Sequence, residues 1–307
     1  VGCPSSGNVL DCLRGKDTAT LQQANRDVTA SATYGSWAFL PVTDGTFITG
    51  RPSTFMFSKK MNGEAILVGN NANEGPLFTP STINTLDDLK AWLHQEFPTF
   101  ADTDVQSILN AYPSTDAPVN PASPRYATNG LTGATAVNVS QVATGQQQRA
   151  YNILAEATFV CPSYWLATAY TSKKSTYHYQ YSVPFASHTD DIPGYFGPST
   201  PNQSVAFSQA FRQIWGNFIK SENPQVPSDS VLKAWPKWDG GMDTKMVNLN
   251  ETGGVPYETV TQFGATVTQF ADPGLKNDFK IVDAYDWEGG RGKRCDFWKS
   301  MAEKVSI

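Results

Sequence analysis

The chain is poor in histidine and in concentrated positive charge. It has three histidines, and 23 Lys and Arg stand against 28 Asp and Glu for a net charge of −5. With no Lys/Arg-dense run there is no electrostatic footprint for a phosphate backbone, which argues against nucleic acid as the main partner. No apolar run approaches the roughly 20 residues that a spanning helix needs, so no transmembrane segment is expected. The opening VGCPSSGNVLDCLRG has neither the basic n-region nor the apolar h-region of a signal peptide and reads as an internal or processed start. Internal repeats are absent. No C-x-x-C or paired Cys/His spacing occurs, so a metal site is discounted and no metal or other cofactor is implied. The nucleophile pattern G-x-S-x-G is also missing: neither GPSTP nor YGSWAF has the second glycine in place.

What is present describes a globular chain. Of its 307 residues 40% are hydrophobic, and eight Trp, twelve Tyr and seventeen Phe make it rich in aromatics, enough for one large or two moderate domains and more suited to an apolar ligand than a charged one. Four cysteines, together with sequons at Asn138, Asn202 and Asn250, point to an oxidising, glycosylating route and to secretion.

Strand and helix signals alternate. EAILVGNN (64–71) is a short apolar run closed by Gly and Asn, as a buried strand is. TLDDLKAWLHQEF follows, with Thr85 as N-cap, Asp88 three residues on, and Leu86, Leu89, Trp92 and Leu93 at helical spacing. ADTDVQSILNAY predicts a second short helix, and APVNPASPRYATNGLTGATAVNVS an exposed loop. The stretch 146–169 reads as a long buried helix broken at Pro162. STYHYQYSVPF alternates Tyr177, Tyr179, Tyr181 and Val183 with His178 and Gln180, a strand ended by Pro184. The helix QSVAFSQAFRQIWGNFIKSENP, the loop WPKWDGG, the strand KMVNLN and the helix KRCDFWKSMAEKV complete the order. Such alternation predicts an α/β sheet layered by helices, with functional loops past the carboxyl ends of the strands.

Two loops stand in that place. NNANEGPLF presents Glu74 and ASHTDD presents His188, which would be the second and third members of a hydrolase triad in the order nucleophile, acid, base. Imidazole takes the proton from a serine hydroxyl, while a carboxylate fixes its tautomer and stabilises the imidazolium. On these residues alone the commoner explanation is a hydrogen-bonded or solvated loop histidine and a Glu ahead of a turn-forming Gly.

The order GCPSSGNVLDCLRG, LPVTDG, VGNNANEGPLF, SHTDDIPGYF, IWGNFIKSENP, WPKWD and CDFW resembles the type-B carboxylesterase/lipase family, which includes the cholinesterases and fungal lipases of the Candida rugosa type. Each motif is weak by itself, and the shared order and spacing carry the likeness from Gly2 through the last helix. It corresponds to the C-terminal part of the family's catalytic domain. The resemblance implies that residues 1–307 are the C-terminal part of a single α/β-hydrolase domain, a mainly parallel sheet flanked by helices and completed by a missing N-terminal segment. Glu74 would be the triad acid, His188 the base, and Asp191 a support for the pair rather than a proton carrier. The family's G-E-S-x-G elbow and Gly-rich oxyanion loop precede the matched region, so the serine would lie on an N-terminal chain of the same precursor. Disulfides Cys3–Cys12 and Cys161–Cys295 are implied in the same way, with four free thiols as the alternative. Trp37, Phe39, Leu77 and Phe78 fall where the family lines its ester pocket, although core packing accounts for them equally well. The implied activity is carboxylic ester hydrolysis through an acyl-enzyme on an apolar ester. The alternative is an inactive, cholinesterase-like adhesion or binding scaffold.

Overall fold

The computed structural model describes residues 1–113 and 140–305. They fall into two units, Val1–Thr49 and Gly50–Ile307. In the first, helix α1 (Val9–Arg14) is tied to the preceding loop by a disulfide between Cys3 and Cys12, and α2 (Thr18–Ala30) is capped by Asp17, whose carboxylate accepts from the Thr20 amide. Neither helix has a buried residue, and Trp37, Phe39, Leu40 and Phe47 are exposed.

The second unit is built on a four-stranded sheet. Helix α3 (Pro52–Phe57) precedes strand β1 (Ala65–Asn71). Helices α4 (Leu86–Glu96), α5 (Asp102–Ala111), α6 (Gly145–Ala155) and α7 (Cys161–Ala169) lead to β2 (Ser175–Tyr181). After α8 (Ile192–Phe196) and α9 (Val205–Ser221) come β3 (Lys245–Leu249), the paired strands β4 (Glu251–Val260) and β5 (Thr266–Asn277), β6 (Lys280–Asp283) and α10 (Trp287–Met301). The sheet order is β1-β2-β3-β6, parallel except for β6, while β4 and β5 form a separate antiparallel hairpin.

Every residue of β2 is buried, because helices cover both faces of a parallel sheet. Tyr177, Tyr179 and Tyr181 pack with Phe207, Phe211 and Trp235 on one side. His178 faces Tyr164 and Trp238, and Gln180 meets Trp287 and Arg291 on the other. Local signals hold where the sequence makes them strong. Thr85 and Asp88 close a capping box with bonds of 3.1 and 2.8 Å, and Ser204 caps α9 through the Phe207 amide.

Three features differ from the sequence reading. The break in 146–169 is a π-helical turn, Glu156–Val160, ahead of Pro162 rather than at it; Pro162 is the second residue of α7, directly after that turn. The last helix is entered through Glu288, Gly289 and Gly290, all at positive φ, whose bend is held by the Arg294 guanidinium donating to the Glu288 and Gly289 carbonyls. The β4–β5 hairpin is unannounced in the sequence. Of the expected glycan sites, Asn202 and Asn250 are 5% and 3% exposed, and Asn202 Nδ2 donates to the Pro184 carbonyl at 2.7 Å. Asn138 and most of the expected 117–140 loop lie outside the described residues. Cys161 and Cys295 form a disulfide between α7 and α10.

Candidate active site

Parallel register brings Glu74 and His188 together. Asn71, the last residue of β1, pairs with Tyr181, the last of β2. The loops beyond stay zipped: the Ala72 amide donates to the Tyr181 carbonyl, the Asn73 amide to the Ala186 carbonyl, both at 2.9 Å, and Asn73 bridges to Ser187. Glu74 therefore meets the loop at His188, 114 residues on, with Oε2 2.5 Å from His188 Nδ1. Its other oxygen, Oε1, accepts the Asn71 amide at 2.7 Å, so the strand end itself fixes the carboxylate. Glycine is required next: a Cβ on Gly75 would lie 1.9 Å from the Tyr151 carbonyl oxygen of α6.

The histidine turn is strained and braced. Ala186 and Thr189, on either side of His188, have φ of 57° and 77°, a region costly for a β-branched residue. Asp190 Oδ2 accepts the Ser187 amide at 2.8 Å, and Gln262 Nε2 donates to Thr189 Oγ1 at 3.1 Å. Phenyl rings flank the imidazole, Phe78 edge-on at 4.8 Å and Phe159 tilted at 4.9 Å. The hydrogen bond to Glu74 raises the His188 pKa against the opposing effect of burial, with further help from the charges of Glu74, Asp191 and Asp190. Burial, aided by Asp191 and Glu74, pushes the Asp190 carboxyl up to about 6.

Asp191 reaches the pair through an intermediary. Oδ1 accepts Asn71 Nδ2 at 3.1 Å and Oδ2 accepts Tyr195 OH at 2.5 Å, and Tyr195 OH meets Tyr179 OH at 2.6 Å. Asn71 thus links Asp191 to Glu74, holding one with its side chain and the other with its backbone. An open cavity of about 590 Å³ adjoins the pair, with Val68, Phe159 and Leu166 on its walls, within the range of small-molecule sites.

Among the expected wall residues, Phe78 touches the imidazole and Leu77 is half-buried beside it in sequence. Trp37 and Phe39 belong to the first unit, where they are 64% and 67% exposed. Asn71, Phe159 and Gln262 escaped the sequence reading. Asn71 had a signal, a polar residue closing an apolar strand three positions before the acid. Phe159 had none, because the π turn that aims it at His188 is set by packing. The other histidines are elsewhere in structure and role: His94 Nε2 lies 3.0 Å from Asp102 Oδ1 on the surface, and His178 is fully buried 2.9 Å from Ser163 Oγ, its pKa lowered to about 3 by burial and by Arg291.

Known proteins share this architecture. The chain is 33% identical over 117 residues to Lipase 2 of Diutina rugosa, covering 37% of this chain and 21% of that protein. It is 26% identical over 266 residues to the inactive carboxylesterase-like protein VdtD of Byssochlamys spectabilis, covering 77% and 43%. The crystal structure of Aspergillus niger EstA superposes with a TM-score of 0.67 at 18% identity, over 99% of this chain and 53% of that one, and shows the fold to be that of the α/β hydrolases. The chain thus spans about half or less of the length of these proteins. The carboxylesterase family model matches residues 1–264, a span that holds both loops and the Glu74–His188 pair, and the chain belongs to the carboxylesterase family.

Proposed function

We propose that this chain supplies the acid and the base of a serine carboxylic ester hydrolase, and that an N-terminal portion of the same precursor, as a companion chain or as part of a longer one, supplies the serine and the oxyanion hole. The observation that carries this reading is the contact between His188 Nδ1 and Glu74 Oε2, with the acid held by the Asn71 amide. A carboxylate on Nδ1 directs Nε2 toward a serine hydroxyl. Nε2 accepts the hydroxyl proton as the serine oxygen attacks the ester carbonyl carbon, and the tetrahedral intermediate collapses to an acyl-enzyme as the imidazolium returns that proton to the departing alcohol. Water then attacks the acyl carbon, again deprotonated by His188, and the carboxylic acid and the serine are released. Glu74 stabilises each imidazolium.

Two features support such an N-terminal portion. β1 is the edge of the described sheet, and its AILVGNN sequence has no charge to discourage pairing. The family likeness places the serine elbow ahead of the matched region. Residues 1–307 are on this reading part of one catalytic domain, Leu77 and Phe78 form a wall for an apolar ester, and Asp191 steadies the pair. The two disulfides suit a secreted protein. Among the described residues no helix is long and apolar enough to cross a membrane.

The relative named as inactive favours a second reading, a scaffold that binds without turnover. Retention of both Glu74 and His188 supports the enzyme. The deciding experiment labels the native preparation with a fluorophosphonate and assays p-nitrophenyl butyrate. Activity is expected only with a serine-bearing polypeptide present, and the label on that polypeptide or on the extra portion of a longer chain. Activity in this polypeptide alone, or no label and no turnover in the complete assembly, overturns the proposal.

A further inference from the structure

A second cavity, of about 480 Å³, lies between the His188 turn and the β4–β5 hairpin. Thr189 and Ile192 line both it and the cavity beside Glu74 and His188, so the two share a wall one residue past the imidazole. The hairpin's side is polar by register. Tyr257 stands opposite Gln269, so their side chains share one face, and Tyr257 OH donates to Gln269 Oε1 at 2.6 Å. That bond directs the Gln269 amide nitrogen and the phenol oxygen lone pairs to other partners. Gln262 closes the tip onto Thr189, and Asp190 adds a carboxylate from the turn.

The lining limits the ligand. No Lys, Arg or His is among its residues and one carboxylate is, which disfavours a phosphate or carboxylate. Amides and hydroxyls that both donate and accept match a group carrying several hydroxyls, while Ile192, Pro193 and Pro201 supply surface for its C–H faces.

We propose that this cavity is the subsite for a neutral, polyhydroxylated alcohol portion of the ester, of the monosaccharide kind. The proposal rests on the ester-hydrolase reading and deepens it: the scissile bond sits at His188 and the alcohol passes Thr189 to the hairpin.

The test uses the complete, serine-bearing protein and two esters with the same acyl group, glucose 6-butyrate and ethyl butyrate. The wild type is expected to favour the glucose ester by about tenfold or more in kcat/KM, as one or two additional neutral hydrogen bonds would give. The double variant Tyr257→Phe/Gln269→Leu should lose that preference through KM and leave ethyl butyrate within about twofold. Tyr257→Phe alone, which removes one oxygen, serves if the double variant does not fold, and should lose part of the preference. Equal turnover of the two esters by the wild type, or an equal loss on both in the variants, overturns the subsite. Saturation-transfer NMR with methyl β-glucoside separates the two levels. If neither ester is hydrolysed and the fluorophosphonate and p-nitrophenyl butyrate tests also fail, the hydrolase reading falls and with it the ester subsite; if only these two esters fail, glucoside binding that the variants abolish supports the subsite and its absence overturns it.

Discussion

At the scale of single residues the imidazole–carboxylate pair sets opposing demands on pH. The bond to Glu74 raises the His188 pKa, so the pair's contribution to stability is fully present below the ordinary value near 6.5 and is lost as pH rises through the raised value. On the proposed mechanism catalysis needs the neutral base and so is expected to appear as pH rises through the same range. In the complete protein kcat/KM is expected to climb with a midpoint above about 6.5. His188→Ala should lower it by about 10⁶-fold with the fold intact by circular dichroism. Glu74→Gln should lower the plateau and also move the rising limb to lower pH, since it removes the largest cause of the shift. Asp191→Asn, acting through Asn71, should cost less than either. His94→Ala is the control, being half-buried on the α4 surface and bonded to Asp102. His178 cannot serve as one, because its removal opens a cavity beside Tyr164 and Trp238 and strips Ser163 of a partner. Near-wild-type turnover by His188→Ala would refute the mechanism.

At the scale of elements, the π turn is the part that sequence periodicity conceals. It buries Glu156, whose carboxylate is pulled up by burial but brought below its ordinary pKa by Arg294, Arg291 and Tyr112. Arg294 binds it through two nitrogens at 2.7 Å each, Arg291 Nε at 3.2 Å and Tyr112 OH at 2.7 Å. The same turn carries Phe159 to the imidazole. Arg294→Met should cost about 3–5 kcal/mol, because it leaves a buried carboxylate short of its main partner and frees the 288–290 bend. Urea denaturation reads this directly, and a loss under about 1 kcal/mol would show the network to be incidental. The hairpin was illegible for a related reason. A two-stranded ribbon is marginal alone, and this one is stabilised by Gln141, whose side-chain amide bonds both the amide and the carbonyl of Thr268, 127 residues away. No signal within 251–277 encodes that anchor.

At the scale of the whole molecule, the two disulfides close loops of very different length. Cys161 and Cys295 are 134 residues apart and Cys3 and Cys12 nine. In the chain-entropy view the long closure is worth about 5 kcal/mol and the short one about 2.5. Replacing Cys161 and Cys295 by Ala should therefore lower the melting temperature more than replacing Cys3 and Cys12. Calorimetry of the two double variants checks the order, and the reverse order would show that strain or residual structure outweighs loop length. Thiol labelling of the denatured, unreduced chain should find no free cysteine.

The amino-acid sequence by itself determined what short-range chemistry controls. Thr85 with Asp88 and Ser204 specify helix starts whichever way the helices later pack, and the apolar run ending at Asn70 and Asn71 specifies a strand and its end. The placing of Glu74 and His188 just past such strand ends was legible too, but their function was not: alone they read as loop residues, and only the ordered family motifs singled them out. Tertiary structure decided the rest. Pairing of Asn71 with Tyr181 set the register that puts Glu74 against a histidine 114 residues away, and a one-residue slip would have turned the side chains to the opposite face. It sealed Asn202 and Asn250 inside, where their three-residue motifs suggested surface. It also placed Phe159 and the hairpin tip on the histidine turn. Caps and periodicity are written in neighbours along the chain, whereas the site is made of contacts between distant segments, whose energies exist only once the sheet has brought them together.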